Sequence, residues 1–453
     1  MKKVLSIMLV LSMALSLAAC GGAASSTPAS TPAQSGDNSG AAASGSIKVA
    51  AVSNGYSTAY PELWNEIAAA FEAKTGIKVE LTQEQELEDV IGPAMQGGEF
   101  PDVVYLPTDR PKALTDQFIK DNLLTDITDV MSMTIPGEEG TVADKLLPGF
   151  LETSKTNPYS DGKTYLAPMH YDPCGLFYNA GLFKEKNWEV PTTWDEMWEL
   201  GEKAKAEGIA LFTYPSAGYF DAFLYSLMYS VGGPEFFDKA THYEEGIWET
   251  EEAKTCFAII EKLASYTNEV TPAQANDQDF TKNQQLVLDN KALFMPNGSW
   301  VVNEMADAPR ADGFEWGMMA LPAVEAGKDR YSFCWFQQAW IPVGAENVDA
   351  AKQFIAYLYS DEAIQIFLKG GAVQPVKDLA ETLDADKQMF YSIYDDAKAA
   401  MGGFAPYNAE AGLGTTREVF LDPINGLVNG NLSMDDYVKN IVEASDKMRA
   451  NLK

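Results

Sequence analysis

Histidine is nearly absent: His170 and His242 are the only two in 453 residues, which argues against a transition-metal site. Cysteine is almost as sparse, with four in all and no C-x-x-C pair, so neither a zinc site nor a disulfide framework is encoded. Basic clusters are missing too. Against 65 acidic residues stand 33 Lys and Arg, a formal charge of −32, and this balance argues against nucleic acid or an anionic membrane surface as partner. There is no G-x-S-x-G and no H-E-x-x-H, the signatures of serine hydrolases and zinc proteases. No catalytic residue, metal or cofactor is therefore expected. Internal repeats are absent, and the longest apolar run, 4–17, falls short of the roughly 18 residues of a membrane span.

That run has a different meaning. It follows Met1-Lys2-Lys3 and leads into Leu17-Ala18-Ala19-Cys20, which predicts a lipoprotein signal peptide over 1–19, with lipid on the sulfur of Cys20. Residues 21–46 hold only Gly, Ala, Ser, Thr, Pro, Gln, Asn and one Asp. They cannot bury a core and read as a tether reaching on the order of 25–30 Å. Residues 47–453 exceed the roughly 250–300 that one core sustains, so two domains are expected. Cys174, Cys256 and Cys334 remain as an odd set; Cys256 sits on a helical apolar face, and with only two histidines in the chain to activate it, Cys174 is not expected to be a catalytic thiol.

From residue 47 onward, strands alternate with helices. A buried run at 47–53 is followed by a helix marked by Trp64, Ile67 and Phe71 that stops at Thr75-Gly76. Strands at 78–82 and 102–106 bracket a second helix. Such alternation indicates an α/β, mostly parallel sheet, in which ligands collect at the carboxyl ends of the strands. The tips supply Asn54, Tyr56 and Glu84 as candidate ligand-binding residues. The pattern restarts at Thr193, where Glu196 completes a capping box and Trp194 and Trp198 read as core. The strand at 209–214 ends in a tip bearing Tyr219 and Asp221.

Between these halves lies 162–183, GKTYLAPMHYDPCGLFYNAGLF. Two short β-runs, 164–169 and 175–178, flank the polar and aromatic stretch 170–174. A fixed kink of this kind suits a crossing between two lobes, and Asp172 there faces whatever lies between them.

With these residues in view, the chain resembles the family 1 extracellular solute-binding proteins, the maltose-binding-protein-like receptors of ABC sugar importers. The resemblance rests on FEAKTGIKVE, PDVVYLPTDR, the crossover followed by VPTTWDE, ALFMPNGSW and IPVGAENVDAAKQFIAYL, in the family's order. It implies a two-lobed, type II periplasmic-binding-protein-like fold with crossover hinges, one lobe of 47–169 plus 297–343 and another of 174–296 plus 344–453. It also implies a monomeric receptor held extracytoplasmically at the cell membrane by its lipid. Such a receptor binds a carbohydrate and delivers it to ABC permease subunits.

Sugars are held by aromatic rings against the pyranose face and by planar polar side chains that take paired hydroxyls. By the resemblance, Trp300 is the stacking tryptophan, Asp109 and Arg110 the polar pair, and Asp172 the acidic crossover residue, with Tyr171 beside it. Leu106 stands where the maltose receptor has an aromatic ring. Tyr219 and Asp221 lie where that receptor also presents a tyrosine. Trp335 and Phe336 are further aromatic candidates, of which strand alternation buries at least one. An extracellular carbohydrate-active enzyme, or the same fold holding a polyamine or peptide, are the alternatives.

Overall fold

The computed structural model describes residues 45–452, apart from 54, 109, 111, 148, 152, 160, 277, 406 and 408–412. The signal peptide, Cys20 and nearly all of the tether lie outside the described residues, as do Asn54 and Asp109.

Nine strands make up the sheet system: β1 (Ser46–Val52), β2 (Lys78–Glu84), β3 (Val103–Tyr105), β4 (Leu166–Asn179), β5 (Ala210–Phe212), β6 (Ala292–Gly298), β7 (Trp316–Met319), β8 (Tyr331–Trp340) and β9 (Lys398–Ala400). Their order is β2-β1-β3-β8-β4-β6-β5, with β7 also on β4 and β9 on β8. The outer ladders, β2-β1-β3 and β5-β6, are parallel, whereas β4 and β8 pair antiparallel with their neighbours in the middle. β1 buries nearly every side chain of its apolar run, as a strand covered on both faces must.

The helices obey the local signals. The helix Leu63–Thr75 buries Leu63, Trp64, Ile67 and Phe71 and ends at Gly76, whose φ of 77° closes the last turn back to Glu72, a geometry that favours glycine. The capping box of Thr193 and Glu196 is formed. Trp194 is buried and stacks on Trp198 at 5.1 Å.

The described residues build two apolar cores. The first gathers side chains of β1, β3, the early part of β4 and the end of β8; the second those of late β4, β5, β7, the start of β8 and the helix Phe220–Thr241. The division of the chain between them differs from the one read off the sequence. The helices Val348–Tyr357 and Asp361–Lys369 pack into the first core, Phe354 against Phe71 at 5.0 Å and Phe367 against Trp64 at 5.6 Å. Met319, Leu321, Tyr331 and Phe333 pack into the second. The cause of the first difference is where β8 delivers the chain. Asp102, beside β3, accepts hydrogen bonds from the main chain of Lys48 and Asn347, which fixes the following helix against β1.

The 170–174 stretch is not an interruption. β4 runs unbroken for 14 residues, with one bulge between Pro168 and His170. Its two prolines fit because each stands where an N–H would point away from β8: the carbonyl of Pro168 turns to the Tyr359 hydroxyl and that of Pro173 to the Ser299 amide, so no ladder bond to β8 is lost.

Candidate functional site

A cavity of about 580 Å³ opens where the two cores meet along β4 and β8. The first core's side supplies Pro107, Thr108, Arg110 and Lys155; the other side supplies Asp221, Tyr225, Trp300 and Phe404; β4 and β8 contribute Asp172, Trp335 and Gln337. A smaller cavity of about 240 Å³ shares Asp221, Trp300 and Trp335 and adds Tyr219, Asn297 and Arg417.

Six residues expected from the sequence border the larger cavity: Arg110, Asp172, Asp221, Trp300, Trp335 and Phe336. Trp335 is 42% exposed, although it sits mid-strand. Asp172 is its register partner on β4, so carboxylate and indole lie side by side. The Asp172 carboxylate accepts a 2.5 Å bond from the Tyr56 hydroxyl. Burial raises its pKa, and that bond works in the opposite direction. The Tyr56 ring packs near His170, at 5.4 Å, which belongs to a polar row: the Tyr105 hydroxyl bonds His170 Nδ1 at 2.8 Å and Gln337 Oε1 at 2.5 Å. Burial depresses the His170 pKa to about 3, so the ring is neutral.

Arg110 does two things. It borders the cavity, and it is held there by Glu88, a nearly buried carboxylate that it engages through both Nε and Nη2, with a further bond from Nη2 to the Gln85 carbonyl. Asp221 lies at the start of its helix and accepts from the Ala222 amide at 2.5 Å. Burial pushes its pKa up to about 7, against the pull of that amide and of Arg417. Cys174 is buried, and burial first, then the charges of Asp221 and Asp172, hold its thiol well above the usual range; this is the opposite of an activated nucleophile.

Trp300 follows the end of β6, and its indole lies across Gly298, where an added Cβ would overlap the ring. Gly298→Ala is therefore expected to destabilise the protein by about 1–3 kcal/mol, the range for overpacking, and to shift the emission of Trp300. Urea unfolding and tryptophan fluorescence would read both. Tyr219 stacks near Phe280 at 6.2 Å and Trp300 at 6.4 Å, and burial raises its pKa to about 12. Nδ2 of Asn297, buried beside the smaller cavity, has no hydrogen-bond partner among the described residues.

Three expectations change. Tyr171 does not reach the cavity: it alternates with Asp172 onto the opposite face, 1% exposed among Phe150, Tyr391 and Tyr394. The ring of Phe336 turns the same way, onto Phe150 at 5.8 Å. Glu84 is exposed at the end of β2 and borders neither cavity. Several lining residues went unread in the sequence. Tyr225 carried a usable signal, one helical turn beyond Asp221, and so did the Gly402-Gly403 pair, which lets the chain approach closely. Lys155 and Arg417 carried none.

Residues 54–365 match the family model of the bacterial extracellular solute-binding protein. The diacetylchitobiose binding protein NgcE of Streptomyces coelicolor is 27% identical over 276 residues, 60% of this chain and 56% of that protein. The galactooligosaccharide-binding protein of Bacillus subtilis is 27% identical over 313 residues, 66% of each. The chain thus spans between about half and two thirds of the length of these two relatives. Among solved structures, the bacterial solute receptor AcbH has a TM-score of 0.70 at 18% identity, covering 89% of this chain and 99% of that one. The apo-form of RafE from Streptococcus pneumoniae gives 0.65 at 16%, covering 90% and 99%. The fold is accordingly the α/β, type II periplasmic-binding-protein architecture.

Proposed function

The chain belongs to the bacterial extracellular solute-binding proteins, and from that premise we propose that it is a lipid-anchored receptor that captures an oligosaccharide or amino sugar between two lobes and delivers it to an ABC permease. The family is one of binding proteins and not of enzymes.

Trp335 carries the reading. An indole left 42% exposed in the middle of a central strand is suited to cover the apolar face of a pyranose, and Asp172 beside it is suited to take paired hydroxyls. Trp300 offers a second ring across the cavity. The names of the two relatives, which bind diacetylchitobiose and galactooligosaccharide, support a sugar as ligand. In this reading the lobes follow the two cores, β4 and β8 are the crossings, and a ligand touching both sides favours the closed state. The anchor is the lipid on Cys20, and the receptor acts as a monomer.

The test is intrinsic tryptophan fluorescence, backed by thermal shift, across neutral sugars, amino sugars, polyamines and peptides. A saturable change with a sugar, without turnover, is the expected result, together with the stabilisation that a ligand confers as RT ln(1 + [L]/Kd). Response to a polyamine or peptide and to no sugar would overturn the proposal.

A further inference from the structure

The two cavities adjoin. Asp221, Trp300 and Trp335 border both, and of two consecutive residues Thr416 borders the larger and Arg417 the smaller. At about 240 Å³ the smaller one has room for a single pyranose ring and not for two. Apart from Trp335, its wall comes from the second core's side: Cys174 of late β4, the tip 216–222, the end of β6 with Trp300, and Arg417.

Arg417 reaches this wall on an uncommon turn. The Asp422 amide donates to the Arg417 carbonyl, five residues back, at 2.8 Å, and Arg417–Leu421 is a turn of π-helix. Such turns are rare and are found disproportionately at functional sites. The guanidinium is held from one side, where Nε bonds the Asp422 carboxylate at 3.1 Å. At its other end, Nη1 stands 3.5 Å from where a Cβ on Gly218 would lie, against the tip that carries Asp221. The Asp221 carboxyl is close enough to feel the charge of Arg417. Its Oδ1 accepts from the Ala222 amide, and the second oxygen is left for a further partner.

We propose that the smaller cavity takes the terminal ring of the ligand, with Asp221 and Arg417 gripping two neighbouring hydroxyls of that ring, so that the ligand is an oligosaccharide of at least two rings held by a neutral end. The inference rests on the sugar-binding reading above. A hydroxyl both donates and accepts, so a pair of them answers a carboxyl and a planar guanidinium at once. An ammonium only donates, and at that end it meets the charge of Arg417. The glycosidic bond then crosses where Trp300 and Trp335 border both cavities, and the rest of the chain lies in the larger one, which both cores line.

Matched pairs test the division of the ligand between the cavities: glucose with cellobiose, glucose with maltose, galactose with β-1,4-galactobiose, and N-acetylglucosamine with N,N′-diacetylchitobiose. By titration calorimetry on the full chain, the disaccharide of any pair that binds is expected to be held at least about 10-fold tighter than its monosaccharide, the scale of a hydrogen bond to a charged group. Arg417→Ala is expected to weaken the disaccharide by about 10-fold and to leave the monosaccharide as it was. Should the alanine variant not fold, Arg417→Lys serves in its place, since it keeps the stem and the charge and loses the planar fork. A monosaccharide bound as tightly as its disaccharide overturns the inference. So does a variant whose disaccharide affinity is unchanged, or falls only in step with that of the monosaccharide. Failure of every pair overturns it as well, and the sugar reading then stands or falls by the wider screen above.

Discussion

Trp335→Ala is expected to weaken carbohydrate binding about 30-fold, near 2 kcal/mol, the size of a central aromatic anchor, while the unfolding free energy moves by less than about 1 kcal/mol. The two effects separate because of where the indole stands. It is 42% exposed, and its one ring contact among the described residues is edge-on to Phe333 at 5.6 Å, so little packing is lost with it. Trp300 makes the useful contrast. Its ring is part-buried, packs near Tyr219 and lies over Gly298, so Trp300→Ala removes packing together with any sugar contact, and its binding and stability changes will move together. Calorimetric titration and urea unfolding of the same preparations would check both variants. Unchanged affinity in Trp335→Ala would remove the main stacking surface from the proposed site.

The parts of this protein that local chemistry dictates are the parts the sequence announces. Trp64, Ile67 and Phe71 share a helical face by spacing alone, and Thr193 with Glu196 is a capping box recognisable from two residue types three positions apart. Alternation requires that one of Trp335 and Phe336 be buried. It cannot say which, because that depends on the loop around Phe150, far away in sequence, covering one face of β8. The same long-range fact sends Tyr171 inward and Asp172 outward. Pro168 and Pro173 read as breaks because a proline inside a strand ordinarily costs a ladder bond; only the observed register shows both N positions turned away from β8. The helix Val348–Tyr357 carries an apolar face that would serve either core equally well. Asp102, bound to Lys48 and Asn347, decides the matter from 245 residues away. Lys155 and Arg417 belong to the site through such tertiary placement, and nothing in their neighbours marks them.

Asp221 sets the second large effect. Its folded pKa of about 7 lies above the roughly 4 of an unfolded aspartate, so over that interval the native state holds a proton that the unfolded chain has released. Its contribution to stability is therefore complete below about pH 4 and is lost as the pH rises through 7. Asp221→Asn keeps an acceptor for the Ala222 amide and has no charge to bury. The variant and its parent should match near pH 4, and the variant should be the more stable by about 2–4 kcal/mol at pH 8. The upper figure is the free energy of raising a carboxyl from about 4 to about 7, and the cavity side of the residue reduces it. The parent's own profile does not isolate this. His170, held near 3 by burial against about 6.5 when unfolded, contributes stability that is lost as the pH falls through the same interval. Asp172, also raised by burial, acts in the same sense as Asp221. The difference between variant and parent cancels both, so urea unfolding of the pair at several values between pH 4 and 8 reads Asp221 alone. A difference that stays flat with pH would mean that the Asp221 carboxylate is ionised throughout, paired with Arg417 more closely than its burial implies.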